Sequence, residues 1–309
     1  MAPFRFTLQC SSTVDPDEFR ACARRAEGLG YDALTIADHF DDQLAPVPAL
    51  MAAADVTTTL RLGWLVLCND YRHPVVAAKE AATIDRLSGG RLLVGLGAGW
   101  MATDYERAGI VMDRPGVRIE RLAEAVTVMK GLFTDGPVDF DGEHYTITGL
   151  EGLPKPTQRP HPPIIIGGGG RRILELAARE ADIVALNVNL AGGAIDERAY
   201  PNGTADATDE KVGWVRATAG DRIDQMAIQT RIHLALVSES ADALIDDLAP
   251  QFGLTPTEAR ATPHALVGGV DELCDQLVER RERWGISMIG LSADVIDDLA
   301  PVVARLAGT

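Results

Sequence analysis

Short apolar runs alternate with amphipathic stretches along almost the whole chain, and this alternation limits the fold more than any other feature. The apolar runs fall at residues 4–10, 31–37, 62–68, 91–97, 164–166, 183–187, 225–237 and 288–291. Between them lie helical patterns. The first opens on Asp15-Pro16-Asp17-Glu18, an N-cap aspartate followed by a first-turn proline. It carries Phe19, Cys22, Ala26 and Leu29 on one face and stops at Gly30. Helices are predicted at 48–59, 74–87, 173–180, 210–218, 241–252, 270–284 and 295–306, and after Arg114, where Ile119, Leu122, Val126, Met129 and Phe133 form a stripe at helical spacing. Strands alternating with helices demand a parallel sheet with helical crossovers. Eight such units closing on themselves make a (β/α)₈ barrel, a TIM barrel in the α/β class, here filling residues 1–309 as a single domain. The rival, a doubly wound open sheet, lacks its G-x-G-x-x-G fingerprint. Two segments depart from the alternation. Residues 134–163 are rich in proline and glycine, with a predicted hairpin at 140–148, and residues 192–207 read as a mobile polar loop.

Charge and cysteine content narrow the partners. A net charge of −16 over 309 residues argues against nucleic acid or an anionic membrane. The four cysteines, Cys10, Cys22, Cys68 and Cys274, are scattered and form no CxxC pair, so neither a disulfide framework nor a zinc site is expected. The chain opens on a strand pattern rather than a basic region and apolar run, and no stretch has the length of a membrane span. A soluble cytoplasmic protein is the expectation.

In a barrel of this kind the chemistry lies at the C-terminal ends of the strands. Those ends carry Asp38-His39, Cys68-Asn69-Asp70, Gly97-Ala98-Gly99-Trp100, Gly167, Gly168, Gly169 and Gly170, and Asn187-Val188-Asn189. His39 is the candidate proton-handling residue, because imidazole moves protons near neutral pH. Asp38 would fix its tautomer or bind a ligand edge; the alternative is a capping aspartate beside a structural histidine. Gly97 and Gly99 would let backbone approach a ligand, or simply serve the turn. Gly167, Gly168, Gly169 and Gly170 before a helix leave amides free for a phosphate, with Arg171 and Arg172 adding positive charge. Trp64 reads as core and Trp100 as a possible stacking surface. His73-Pro74 and His161-Pro162 look like turns. His264 is a candidate cover for the mouth, and His233, within a strand, a residue of the barrel interior. No H-E-x-x-H, G-x-S-x-G or P-loop motif occurs.

The run Leu87-Ser-Gly-Gly-Arg91…Gly95-Leu-Gly-Ala-Gly-Trp100 resembles the hallmark of the luciferase-like flavin monooxygenase superfamily. Supporting segments are Gly30-Tyr-Asp-Ala-Leu-Thr-Ile-Ala-Asp-His39, Asn69-Asp-Tyr-Arg-His-Pro74, Pro154-Lys-Pro-Thr-Gln158 and Ile164-Ile-Ile-Gly-Gly-Gly-Gly170. More narrowly the chain is similar to the deazaflavin (coenzyme F420)-dependent oxidoreductases. The resemblance implies a barrel with a bulged third strand, a homodimer, and a non-prolyl cis peptide near Leu65-Val66 pressed against the cofactor ring. It places the cofactor phosphate on Gly97, Ala98, Gly99 and on Gly167 through Gly170 to Arg171, and the ring near Asp38, His39 and Cys68. In the related sugar-phosphate dehydrogenases a glutamate follows the Gly-x-Gly turn. Here that position is Trp100, which argues against a phosphosugar and leaves His39 to handle the proton. The resemblance thus implies F420-dependent hydride transfer to or from a small, uncharged or weakly polar organic substrate. An FMN-dependent monooxygenase is the alternative, and a non-catalytic flavin-binding barrel the third reading.

Overall fold

Each strand pairs in parallel with the next, and the last returns to the first. A computed structural model describes residues 2–11, 13–194 and 199–309. The strands are β1 (Arg5–Gln9), β2 (Ala33–Ile36), β3 (Arg61–Trp64), β4 (Leu92–Gly97), β5 (Ile164–Gly168), β6 (Ile183–Leu186), β7 (Ala227–Arg231) and β8 (Ile286–Ser292). Register runs Thr7 against Ala33, Ala33 against Arg61, Leu62 against Leu92, Val94 against Ile164, Ile165 against Ile183, Ile183 against Ala227, Ile228 against Ile286, and Met288 against Arg5. The barrel is closed, as the alternation predicts.

Side chains along each strand alternate between two destinations. Phe6, Leu8, Leu34, Ile36, Val94, Ile164, Ile166 and Ile289 join the layer under the helices. Ala33, Leu93, Ile165, Ile183, Ala185, Ala227 and Met288 fill the barrel itself. Alanines alternate with branched and long side chains so that the barrel interior is filled, and burying each large apolar one contributes roughly 1.5–3 kcal/mol. Thr7 belongs to the interior set too, taking a hydrogen bond from Gln229 Nε2 at 3.1 Å.

Several boundaries differ from the sequence reading. The run 62–68 is two pieces, Arg61–Trp64 and Leu67–Cys68, split by a cis Leu65-Val66 peptide; the second piece pairs with Leu96 and Gly97 of β4. The run 225–237 is also two strands. β7 ends at Arg231, and Leu234–Val237 leaves the barrel to pair in parallel with Ala265–Gly268. The first break is the bulge and cis peptide that the family resemblance implies near Leu65-Val66; apolar continuity hid the second. A short helix, Ala102–Ala108, follows the Gly97-Ala98-Gly99-Trp100 turn and was not foreseen. The last helix covers only Ala300–Leu306. The hairpin is present as Pro137–Asp141 against Thr146–Glu151. Of the polar loop 192–207, residues 195–198 lie outside the described residues, and its end is already helical in Ala205–Ala219.

The Leu87-Ser-Gly-Gly-Arg91 motif sits at the opposite end of the barrel from the strand C-termini. Gly89 and Gly90 have positive φ (72° and 86°), which favours glycine. Their turn aims Arg91 at the carbonyls of Ser88 (2.7 Å), Leu60 (2.7 Å), Ala54 (3.0 Å) and Thr57 (3.2 Å). Fully buried Asp85 accepts from the N–H groups of Thr157 (2.7 Å), Gln158 (2.9 Å) and Leu92 (3.4 Å) and from Gln158 Nε2 (2.7 Å). That carboxylate explains why the Pro154-Lys-Pro-Thr-Gln158 segment docks where it does.

Candidate active site

His39 stands just past the end of β2, and its ring is held from two sides. Nδ1 lies 2.7 Å from Asp104 Oδ2, and the Trp100 ring meets it edge-on with centroids 5.5 Å apart. Tyr71 donates to the same carboxylate oxygen at 3.4 Å. An aspartate on Nδ1 sets the tautomer and leaves Nε2 to exchange a proton. Among the described residues Nε2 has no hydrogen-bond partner, and His39 lines a cavity of about 620 Å³ at the barrel mouth. Asp104 is buried and comes from the unforeseen helix Ala102–Ala108.

Asp38 does not touch the imidazole. Its carboxylate accepts the Cys68 N–H at 3.0 Å and Arg72 Nη2 at 3.2 Å, and so pins the bulged end of the third strand. Burial raises its pKa, and the Arg72 guanidinium opposes the rise. The neighbouring Cys68 thiol is pushed up to about 11 by burial, which keeps it protonated and neutral. Its Sγ lies 3.4 Å from the Tyr105 hydroxyl, which donates to Asp70 at 2.9 Å. Arg121 completes the network on Asp70 and Asp113.

The predicted glycines all line the cavity, but most owe their lack of a side chain to protein neighbours. A Cβ on Gly97 would collide with the Val66 side chain, one on Gly168 with Ile173, and one on Gly169 with the backbone of Val188. At Gly99 (φ 75°) the space is taken by the Tyr105 hydroxyl. Gly170 alone of the four consecutive glycines has room, with Asn189 at 3.7 Å the nearest side chain. It is the N-cap of helix Arg171–Glu180, whose first turn has neither a side-chain cap nor an acidic residue. Those amides are an available anion site. Arg171 turns along its own helix to Glu175 (2.7 Å), and Arg172 reaches Glu120 (2.8 Å). Both also line the cavity, with their charges engaged by these carboxylates.

Several lining residues carried no sequence signal. Arg118, from helix Pro115–Phe133, donates to the carbonyls of Ala98 (3.2 Å) and Gly99 and thereby fixes the glycine turn. Gln9, Gln229 and Arg231 form a polar floor. Gln229 Oε1 and Arg231 Nη1 are buried without a hydrogen-bond partner among the described residues. His233 lines the mouth opposite His39 rather than the barrel interior, with Nε2 at 2.9 Å from Asn187 Oδ1. The surrounding protein and the Arg231 charge lower its pKa, so it stays neutral. His264 does not cover the mouth. It is buried behind His233, at the Arg231 carbonyl (2.9 Å), with the two rings 5.6 Å apart. Trp64 is core. Among the described residues no cluster of histidine, cysteine or carboxylates could hold a metal, and no helix is long and apolar enough to cross a membrane.

The family model described as luciferase-like monooxygenase matches residues 1–287. Solved structures of the same fold include the coenzyme F420-dependent tetrahydromethanopterin reductase of Methanopyrus kandleri. It is 16% identical, with a TM-score of 0.78 and coverage of 99% of this chain and 100% of that one. An F420-dependent secondary alcohol dehydrogenase in complex with an F420–acetone adduct is 19% identical, with a TM-score of 0.77 and coverage of 98% and 99%. A long-chain alkane monooxygenase is 16% identical, also at 0.77, covering 99% and 91%.

Proposed function

The chain belongs to the luciferase-like monooxygenase family, and on that premise we propose that it is an F420-dependent oxidoreductase. It moves hydride to or from a small, uncharged or weakly polar organic substrate. The observation that carries this reading is the His39–Asp104 contact of 2.7 Å at a histidine that lines a cavity of about 620 Å³. Interconverting an alcohol and a carbonyl needs one proton moved at oxygen as hydride moves at carbon. His39 Nε2 performs the proton step, and Asp104 holds the ring and stabilises its charged form.

The residues present fit a phosphorylated ring cofactor. The uncapped amides at Gly170 and Arg171 would hold the phosphate, with Gly97, Ala98 and Gly99 as the adjoining wall. Leu65 and Val66 would offer an apolar surface to the ring, beside Asp38 and the neutral Cys68. A bound deazaflavin supplies hydride transfer; FMN would instead supply dioxygen chemistry. A monooxygenase, with FMN as its cofactor, is the second reading, because a long-chain alkane monooxygenase shares this fold at the same TM-score as the F420-dependent alcohol dehydrogenase.

Titration of purified protein with each cofactor tests the choice. Tight F420 binding with alcohol-dependent reduction supports the proposal. Tight FMN binding with no detectable F420 binding overturns it in favour of a monooxygenase, and binding of neither leaves a non-catalytic barrel. A homodimer belongs to the same proposal, and light scattering of the eluted protein checks it.

A further inference from the structure

Beside the main cavity lies a second hollow of about 190 Å³. Tyr200, Leu234, Ile245, Leu248, Phe252 and Val267 supply much of its wall. Tyr200 comes from the short turn Tyr200–Gly203 after β6, and the others from the segment where the chain leaves the barrel after β7, crosses the helix Ala241–Leu248 and reaches Ala265–Gly268. Val188 and His233 line both spaces, so the hollow is a side chamber of the mouth.

The chamber offers a ligand little besides carbon. Thr262 Oγ1 is committed to the Gly203 carbonyl at 2.5 Å, and His264 Nδ1 to that of Arg231 at 2.9 Å. His233 Nε2 is committed to Asn187. Among the described residues no charged side chain lines it. A buried water needs two to four polar partners, whereas an apolar cavity of about 150 Å³ stays dry and accepts benzene. At about 190 Å³ this chamber has space for one ring or a branched alkyl group of similar size.

We propose that the side chamber receives the apolar end of the substrate, an aryl or branched-alkyl group of about ring size, while the reacting alcohol or carbonyl lies at His39. The substrate class is thus an alcohol or carbonyl compound with one bulky apolar substituent. This assignment of the reacting group rests on the proposed function; occupation of the chamber does not. His233, a neutral planar ring at the junction, is the wall along which the substituent enters.

Benzyl alcohol is the probe, with 2-propanol as the small comparison. Binding to cofactor-free protein is read by ligand-detected NMR, and specificity constants are read with whichever cofactor binds. Ala259→Leu puts a larger side chain on the chamber wall and should weaken benzyl alcohol binding at least tenfold. It should lower the benzyl alcohol to 2-propanol specificity ratio by a similar factor. Leu248→Ala enlarges the chamber and should admit naphthalene-methanol, which the parent protein excludes. Benzyl alcohol that fails to bind the parent protein, or binds both variants as it does the parent, overturns the chamber assignment. Chamber-dependent binding without turnover by either cofactor sinks the proposed function and leaves the chamber standing. Turnover of 2-propanol without benzyl alcohol binding does the reverse.

Discussion

The two ends of the barrel treat their polar groups differently. At the base, Arg91 and Asp85 spend their hydrogen-bonding capacity on backbone groups that would otherwise be orphaned. The exceptions there include Asp32 Oδ2 and Arg61 Nε, on groups whose opposite charges attract, and Arg281 Nε and Ser287 Oγ. At the mouth, His39 keeps a free nitrogen, Gln229 and Arg231 keep unpaired atoms, and the first turn of helix Arg171–Glu180 keeps free amides. Satisfied polar groups stabilise a fold; unsatisfied ones lining a cavity are available to a ligand. One scaffold thus keeps stability at one end and chemistry at the other.

This contrast can be broken by separating stability from turnover. The largest expected effect is at the mouth. His39→Ala should reduce turnover by about 10²- to 10⁴-fold with the thermal midpoint almost unchanged; a loss below tenfold would remove His39 from the proton step. At the base, Asp85→Ala removes the acceptor of the Thr157, Gln158 and Leu92 N–H groups and leaves Gln158 Nε2 only the Leu92 carbonyl. It should cost about 3 kcal/mol or more, seen as a lower denaturant midpoint, with turnover per folded molecule intact. Reduced turnover at full folding would mean the ends are coupled. Asp104→Asn keeps a partner for the ring but not the charge. It should lower kcat on the order of tenfold to a hundredfold, with KM little changed. The smallest effect at neutral pH belongs to His264, whose pKa burial lowers to about 3. The unfolded histidine, near 6.5, takes up a proton first as the medium acidifies. Stability is therefore full above about 6.5 and is lost as pH falls toward 3. His264→Gln should flatten the fall in melting temperature between pH 7 and 4.5, and an unchanged slope would place the acid sensitivity elsewhere.

The sequence made His39 legible because a histidine at a strand terminus stands out against the apolar run before it. Its partner Asp104 was not legible. It lies 65 residues away, on a seven-residue helix with no apolar stripe, and only barrel closure brings the two together. The glycines were read as places for a ligand. At Gly97, Gly99, Gly168 and Gly169 the nearer cause is crowding by Val66, Tyr105, Ile173 and Val188, which spacing cannot reveal. The family hallmark around Arg91 was visible as a motif, yet its work is at the base and not at the mouth. The break after β7 had one signal, Arg231 and His233 inside an otherwise apolar stretch.

That break has a consequence for how such a protein can diversify. The chain departs from the barrel at Arg231, and the strands Leu234–Val237 and Ala265–Gly268 pair only with each other. Their hydrogen bonds are independent of the barrel's own ladder. Substitutions or length changes between these strands can therefore reshape one wall of the mouth while leaving the eight-strand ladder and the His39–Asp104 side untouched. The segment acts as an exchangeable cassette, so selectivity can drift quickly on a chemical apparatus that stays fixed.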